Sequence, residues 1–303
     1  MKRTLRLLIW GMAVVLALAS GLQAAETVTT VVNSRIGNGY KRERLADGSF
    51  KPEHYALANG GLIEGTTRDN TIERVTYPEV AEIAARFLLQ QNYHYAQTKE
   101  QAKLLLVLNW GATISYNNMN YGHAVQQLSA AANALAANRM YGSSTPEDVA
   151  VDAMAEQLLM VKMENRARDQ INLPNAKIIG YLDAINEVND IRRWAGGGDR
   201  YNDLVADLEE PRYYIVISAY DFPKLLKSGK KTLLWQTRVS VRSPGNSFDD
   251  SFVPMLKSAS KYFGQDSGKL MREEQEKAKV ELGDLKFLGE AKEPPETKPE
   301  PKK

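Results

Sequence analysis

Imidazole is scarce in this chain. His54, His94 and His123 are its three histidines, and no pair has metal-ligand spacing, so packing or surface roles are expected and no metal site is read. There is no cysteine, which removes disulfides, thiolate ligands, thiol nucleophiles and lipid attachment to an N-terminal cysteine. No G-x-S-x-G turn and no usefully placed S-x-x-K presents a serine nucleophile. Paired carboxylates are the remaining route to acid–base work. The adjacent Asp249 and Asp250 are the best pair, but acids in a first helical turn favour the helix dipole. Asp221, at the end of an apolar run, reads first as a turn initiator. Gly37–Gly39, Gly60-Gly61 and Gly196–Gly198 lack the lysine and hydroxyl that complete a phosphate loop and read as turns or connectors. No catalytic set and no cofactor follow from these residues.

One surface does suggest binding. Arg238 and Arg242 share the face of a strand, and Ser243-Pro244-Gly245-Asn246-Ser247 leads from them to a helix start. Guanidinium groups beside free backbone N–H donors suit a carboxylate or phosphate, so Arg238, Arg242, Asn246 and Ser247 form a candidate anion site. The alternative is a solvated strand face paired with Asp249 or Asp250.

The elements that position these groups are clearest between Tyr213 and Phe263. Tyr213–Tyr220 is β-branched and aromatic, apolar on both faces, and reads as a central strand. From Thr232 to Arg242 a period of two sets Leu233, Trp235, Thr237, Val239 and Val241 on a buried face. Gln236, Arg238, Ser240 and Arg242 lie on the other, near water. The link through Pro223 and Ser228-Gly229 favours an antiparallel pair. Ser247 with Asp250 opens a helix over 249–263, whose stripe is Phe252, Met255, Leu256, Ala259 and Phe263, with Gly264 as its stop.

Earlier in the chain, Thr27–Val32 reads as a first strand and His54–Ala58 as a short extended piece, with Gly60, Gly61 and Gly65 in an irregular segment reaching Arg74. Thr76-Tyr77-Pro78-Glu79 opens a helix over 78–91 with stripe Val80, Ile83, Ala84, Phe87, Leu88 and a stop at Asn92. Tyr93-His94-Tyr95 is a short strand, and Leu104–Ile114 a second buried one. Residues 122–206 read as a helical insertion: an alanine-rich helix at 122–139, one starting at Thr145-Pro146-Glu147-Asp148, and a third beginning near Pro174. Its alternative is an independent helical domain. Lys269–Glu281 reads as a charged helix, Leu285–Leu288 as a last short strand, and 290–303, with four prolines among charges, as a disordered tail.

The sequence opens with Lys2, Arg3 and Arg6, an apolar run from Leu7 to Leu18, and Ala24-Ala25, the pattern of a signal peptide over residues 1–24; an uncleaved anchor is the alternative. Cleavage after Ala24 leaves 279 residues, and removes three bases so that 36 face 37 acids, a net of −1 in place of +2. That balance argues against nucleic acid as a partner. The expected class is α/β (α+β): a mixed, largely antiparallel sheet built from 25–121 and 207–289, with helices packed on it. Its central premise is that the ribbons around Leu106 and Ile215 lie side by side.

The acid-capped helix ending in Gln91-Asn92-Tyr93, then Leu104-Leu105-Leu106-Val107-Leu108-Asn109-Trp110-Gly111, and later Leu233-Leu234-Trp235 with Ser240 and a packed helix, resemble a family of bacterial cell-envelope proteins, many of them lipoproteins. The likeness covers 75–115 and 213–263. It implies a small α/β module at the envelope with no assigned activity. The chain departs from it in lacking the lipid-bearing cysteine and in carrying the helical segment. The expected role is an exported, periplasmic or secreted protein with a non-enzymatic binding or structural function, its partner an envelope protein or small ligand and its mature chain without a transmembrane helix. A hydrolase of wall or carbohydrate substrates using Asp221, Asp249 or Asp250, and a scaffold that self-associates through 122–206, are the alternatives.

Overall fold

The computed structural model describes residues 26–63, 69–116, 119–142, 146–195 and 198–277. The expected signal peptide, the Gly196-Gly197 connector, the strand at 285–288 and the tail at 290–303 lie outside the described residues.

Among the described residues seven strands form one sheet: β1 (Thr27–Ile36), β2 (Glu53–Ile63), β3 (Tyr93–Tyr95), β4 (Leu104–Ala112), β5 (Arg212–Asp221), β6 (Leu233–Arg242) and β7 (Met271–Glu276), in the order β3-β2-β4-β5-β6-β1-β7. β2 runs parallel to β3 and β4, and the other pairs are antiparallel. The two apolar ribbons are direct neighbours, with Leu106 opposite Ala219 and Trp110 opposite Ile215. The fold is α/β with a mixed, mostly antiparallel sheet.

One face of the sheet carries the main core. α1 (Asn70–Glu73), α2 (Tyr77–Gln90) and α8 (Phe248–Ser260) lie on this side. α2 starts where expected because the Glu79 carboxylate accepts the Thr76 N–H at 2.6 Å and its hydroxyl at 3.1 Å. It ends where Asn92 turns to φ 59°. Phe252, Met255, Leu256, Ala259 and Phe263 are buried against Trp235, Val239, Val241 and Ile217. The two Phe, the Leu and the Met each contribute roughly 1.5–3 kcal/mol by leaving water.

Four helices connect β4 to β5: α3 (Met119–Tyr141), α4 (Glu147–Ile179), α5 (Leu182–Ala195) and α6 (Gly198–Glu209); α7 (Phe222–Ser228) links β5 to β6. The end of α4 and the helices α5 and α6 cover the second face over β1, β5 and β6, where Ile179, Tyr181, Ile185, Val188, Leu204 and Leu208 meet Val31, Tyr214 and Val216. α3 and the first half of α4 form an antiparallel hairpin that extends past the sheet. A cover and a projection therefore coexist in this segment.

Five expectations change. Gly60-Gly61 is not in an irregular stretch: β2 continues to Ile63 through a bulge, because β4 supplies ladder partners and the Asn109 side chain fills the space beside Gly60. Pro174 starts no helix. It lies inside α4, which runs on to Gly180 at φ 81°. The outward face of β6 is not near water throughout, since Ser240 is fully buried under α5 and α6. The apolar run of β4 is buried on one face only, alternating buried and half-buried residues. Finally, residues 271–276 form a strand rather than a helix: β1 offers a free edge, and Met271, Glu273 and Gln275 alternate inward along it. No helix among the described residues is long and apolar enough to cross a membrane.

Candidate ligand site

The register of the sheet brings five arginines onto the face beneath α4, α5 and α6. Asn33 stands opposite Arg238, Val31 opposite Arg272, and Arg212 opposite Arg242, while Arg35 follows Asn33 by one two-residue step. Residues directly paired in a ladder point to the same side, so all five guanidiniums share it.

Four of them meet carboxylates. Arg35 Nε lies 3.2 Å from Asp183 of α5, and its Nη1 3.0 Å from Asp266. Arg242 is bound through two nitrogens by Glu210. Arg272 contacts Asp207 of α6. Arg212, almost wholly buried, donates from Nε to Ser240 Oγ at 3.1 Å, and its Nη1 lies 3.6 Å from Asp207. Tyr181 completes this knot, its hydroxyl donating to Asp207 at 3.1 Å beneath the same guanidinium. Burial raises the Tyr181 phenol well above its ordinary range, with Arg212 opposing and Asp207 adding to the rise.

Arg238 is different. Its Nη1 donates to the Asn33 side-chain oxygen at 3.3 Å, and its Nε is buried with no hydrogen-bond partner among the described residues. Burial pushes this guanidinium below the usual arginine range; Asp183 opposes that push and Arg35 adds to it. Asn33 is held in turn against Gly180, the residue that ends α4.

Asn33, though not Arg238 itself, lines a cleft of about 150 Å³ between the β1–β7 edge and α5–α6. Asn33 and Arg35 contribute from the sheet, Asp183, Glu187, Arg200 and Asp203 from the helices, and Lys269 and Arg272 from the approach to β7. An open groove of about 400 Å³ continues from it past Asp203 and Arg272 to Asp207, Glu210 and Arg242. In that second groove acids already hold the arginines. In the first cleft Arg35 and Arg272 are likewise paired, whereas Arg200 and Lys269 make no ion pair among the described residues, with Glu187 and Asp203 beside them.

The structure brings Arg238 and Arg242 onto one face, as the spacing predicts, but does not assemble the four-residue anion site. Arg242 turns to Glu210. The Asn246 amide donates to the Arg242 carbonyl at 2.9 Å, and the Ser247 hydroxyl donates to Asp250 at 2.9 Å, so the turn is occupied with its own capping. Asp249 does not pair with Arg238 or Arg242 and lies 3.7 Å from Arg74. Asp221 caps α7 by accepting the Lys224 N–H at 2.9 Å, at the opposite end of the sheet from Asp249 and Asp250. His54 and His94 are ring neighbours on β2 and β3, 5.9 Å apart, and His123 bonds Gln127 on α3. Among the described residues no three side chains of metal-binding type converge.

Sequence reasoning missed Asn33, Arg35, Asp183 and Asp207. Their association depends on β1 lying between β6 and β7, with α5 and α6 laid over it. The available signal was an asparagine and an arginine placed at alternate positions of a β-branched strand, where a purely structural strand has little use for them.

No family model matches this chain, and no curated protein matches it. The site is therefore read from its chemistry alone.

Proposed function

We propose that this chain is an exported bacterial cell-envelope protein with a non-enzymatic binding role, whose ligand is a small molecule carrying a carboxylate or phosphate held at Arg238. The observation that carries this reading is the mismatch on the arginine face: four guanidiniums meet carboxylates, while Arg238, whose partner Asn33 lines the cleft, touches only an amide oxygen among the described residues. A buried cation that no carboxylate touches is costly, Asp183 acting on Arg238 only through space, and an anion in contact offsets that cost directly. The flanking groups suit holding rather than reacting. Guanidiniums stay protonated and locked into ion pairs, so they orient charge without exchanging protons. The envelope assignment is supported by the basic, apolar and small-residue opening of the sequence and by the resemblance over 75–115 and 213–263. Asp221 caps α7 at one end of the sheet while Asp249 and Asp250 lie in the first turn of α8 at the other, which gives the hydrolase reading no support.

Calorimetric titration with N-acetyl-alanine and with inorganic phosphate tests the site at neutral pH. The chain should bind at least one of the two, and Arg238→Gln should weaken that binding by roughly 10- to 150-fold, the value of a charge-assisted hydrogen bond of about 1.5–3 kcal/mol. Equal affinity in the folded variant, or no binding of either probe, removes the proposal.

A further inference from the structure

Helix α4 spans 33 residues, and only its C-terminal part rests on the sheet. From Asp148 to Gln170 it covers roughly 33 Å at ~1.5 Å per residue. Along this length α3 packs on one side, and Ala150, Met154, Gln157 and Val161 are all less exposed than their neighbours. The opposite side is a heptad stripe open to solvent. Asp152, Glu156, Leu159, Met163 and Arg166 follow at spacings of four, three, four and three. Leu159 is 58% exposed and Met163 59%, values out of keeping with a helix face meant for water alone.

The charges on this stripe are segregated. Asp148, Asp152 and Glu156 occupy the outer half, with no base on α4 before Lys162; the inner half carries Lys162 and Arg166, together with Glu164, which turns to Tyr116, and the exposed Asp169. Asp152, Glu156, Lys162 and Arg166 make no ion pair in their own chain among the described residues. Their spacing is symmetric about Leu159: Glu156 and Lys162 stand three residues to either side, and Asp152 and Arg166 seven. A two-fold axis through Leu159 therefore places Asp152 opposite Arg166 and Glu156 opposite Lys162, while Asp148 falls opposite the neutral Gln170.

We infer that this face of α4 docks on the same face of a second copy of the chain, antiparallel, with Leu159 at the axis, Asp152 facing Arg166 of the other copy and Glu156 facing Lys162. Ala155 then meets Met163 of the other copy, small against large, as interlocking helix seams require. A parallel arrangement would oppose like charges, so the pattern selects direction as well as partner. A seam of about 33 Å by ~10 Å per copy buries roughly 660 Å² in total, less than a stable specific interface, which makes this a weak, transient dimer rather than an obligate one. The inference is independent of the ligand at Arg238, which lies on the sheet.

The test uses the full chain, expressed with its own N-terminal segment. Sedimentation velocity across a concentration series should show reversible doubling of mass. Asp152→Lys with Glu156→Lys should weaken dimerisation at least about 100-fold by opposing like charges. Adding Lys162→Glu and Arg166→Glu to that variant should restore it. The absence of cysteine gives a clean geometric probe: Leu159→Cys should form a symmetric disulfide on mild oxidation, because residues at an antiparallel axis come within disulfide reach, whereas Leu173→Cys, also exposed, should not. A chain that is monomeric at every concentration overturns the inference. So does a dimer indifferent to the charge variants, equal cross-linking at both positions, or a monomer that dimerises only once residues 278–303 are removed.

Discussion

Arg238 and Arg212 stand on adjacent strands of one sheet face, yet their surroundings assign them opposite roles. Arg212 is tied to Ser240, Asp207 and the Tyr181 ring, so its removal leaves a polar knot short of donors. Arg212→Met should lower stability by about 1.5–3 kcal/mol in urea unfolding, the value of hydrogen bonds to charged groups. Arg238 gives up hydration for a single amide contact. Replacing a poorly paired buried charge with an apolar side chain of similar length is commonly neutral or stabilising. Arg238→Met should accordingly leave stability unchanged or raise it by about 1 kcal/mol, while anion binding is lost. A loss of more than ~2 kcal/mol in this variant would make Arg238 a structural residue and remove the reason for placing a ligand there. The pairing that separates the two arginines was not visible in the sequence. The strand position of Arg238 was legible from the period of two, whereas Arg212 lies just before the run read as a strand; the acids that claim Arg212, Arg242 and Arg272 come from α6 and the residue that follows it, whose placement over the sheet no local pattern encodes.

At the level of elements, the junction between α4 and α5 shows how a helix end fixes a site on another layer. Gly180 adopts φ 81°, and a Cβ there would lie 2.6 Å from the Asn33 side chain, the same side chain that accepts from Arg238. Gly229, which ends α7 at φ 67°, has nothing within 4 Å of the corresponding position. Gly229→Ala should therefore cost only the left-handed backbone penalty of roughly 1–2 kcal/mol. Gly180→Ala should cost clearly more, and it should weaken anion binding by shifting Asn33. Thermal unfolding of the two variants side by side separates conformational strain from close approach; equal losses would mean that α4 is not seated on β1 as tightly as the geometry requires. Local signals served well where they were self-contained. Thr76 with Glu79, Ser247 with Asp250, and the stripe from Phe252 to Phe263 each specify an element without help from the rest of the chain. They failed where a partner decides the outcome. Residues 271–276 carry charges compatible with a helix, and the free edge of β1 makes them a strand. Pro174 reads as a helix start, but α4 runs through it, anchored at Asn175 by hydrogen bonds to both backbone groups of Ile114.

For the molecule as a whole, both layers of the sheet are stitched with phenols, and this governs its behaviour in base. Tyr40, Tyr55, Tyr93, Tyr181 and Tyr214 are all buried enough that desolvation raises their ionisation, Tyr214 to about 12 and the others beyond it. They occupy both faces and both ends of the sheet, so no local opening exposes them together. An unfolded tyrosine ionises near 10. Below that pH neither state loses the proton and these groups add nothing to the pH dependence. Above it the unfolded chain releases protons that the folded chain retains, so stability falls as pH rises from about 10 towards the folded values. Each group contributes at most about 1.4 kcal/mol per pH unit, and five together about 7, against a total stability of roughly 5–15 kcal/mol for a domain. The fold should thus hold level from neutrality to near pH 10 and collapse within about two units above it. Tyrosinate absorbance and far-ultraviolet circular dichroism, followed together through that range, should change in one coincident step for these residues. Full phenol titration centred near pH 10 with the fold still intact would show that the sheet faces are open to water, and would contradict the layered arrangement on which the ligand site depends.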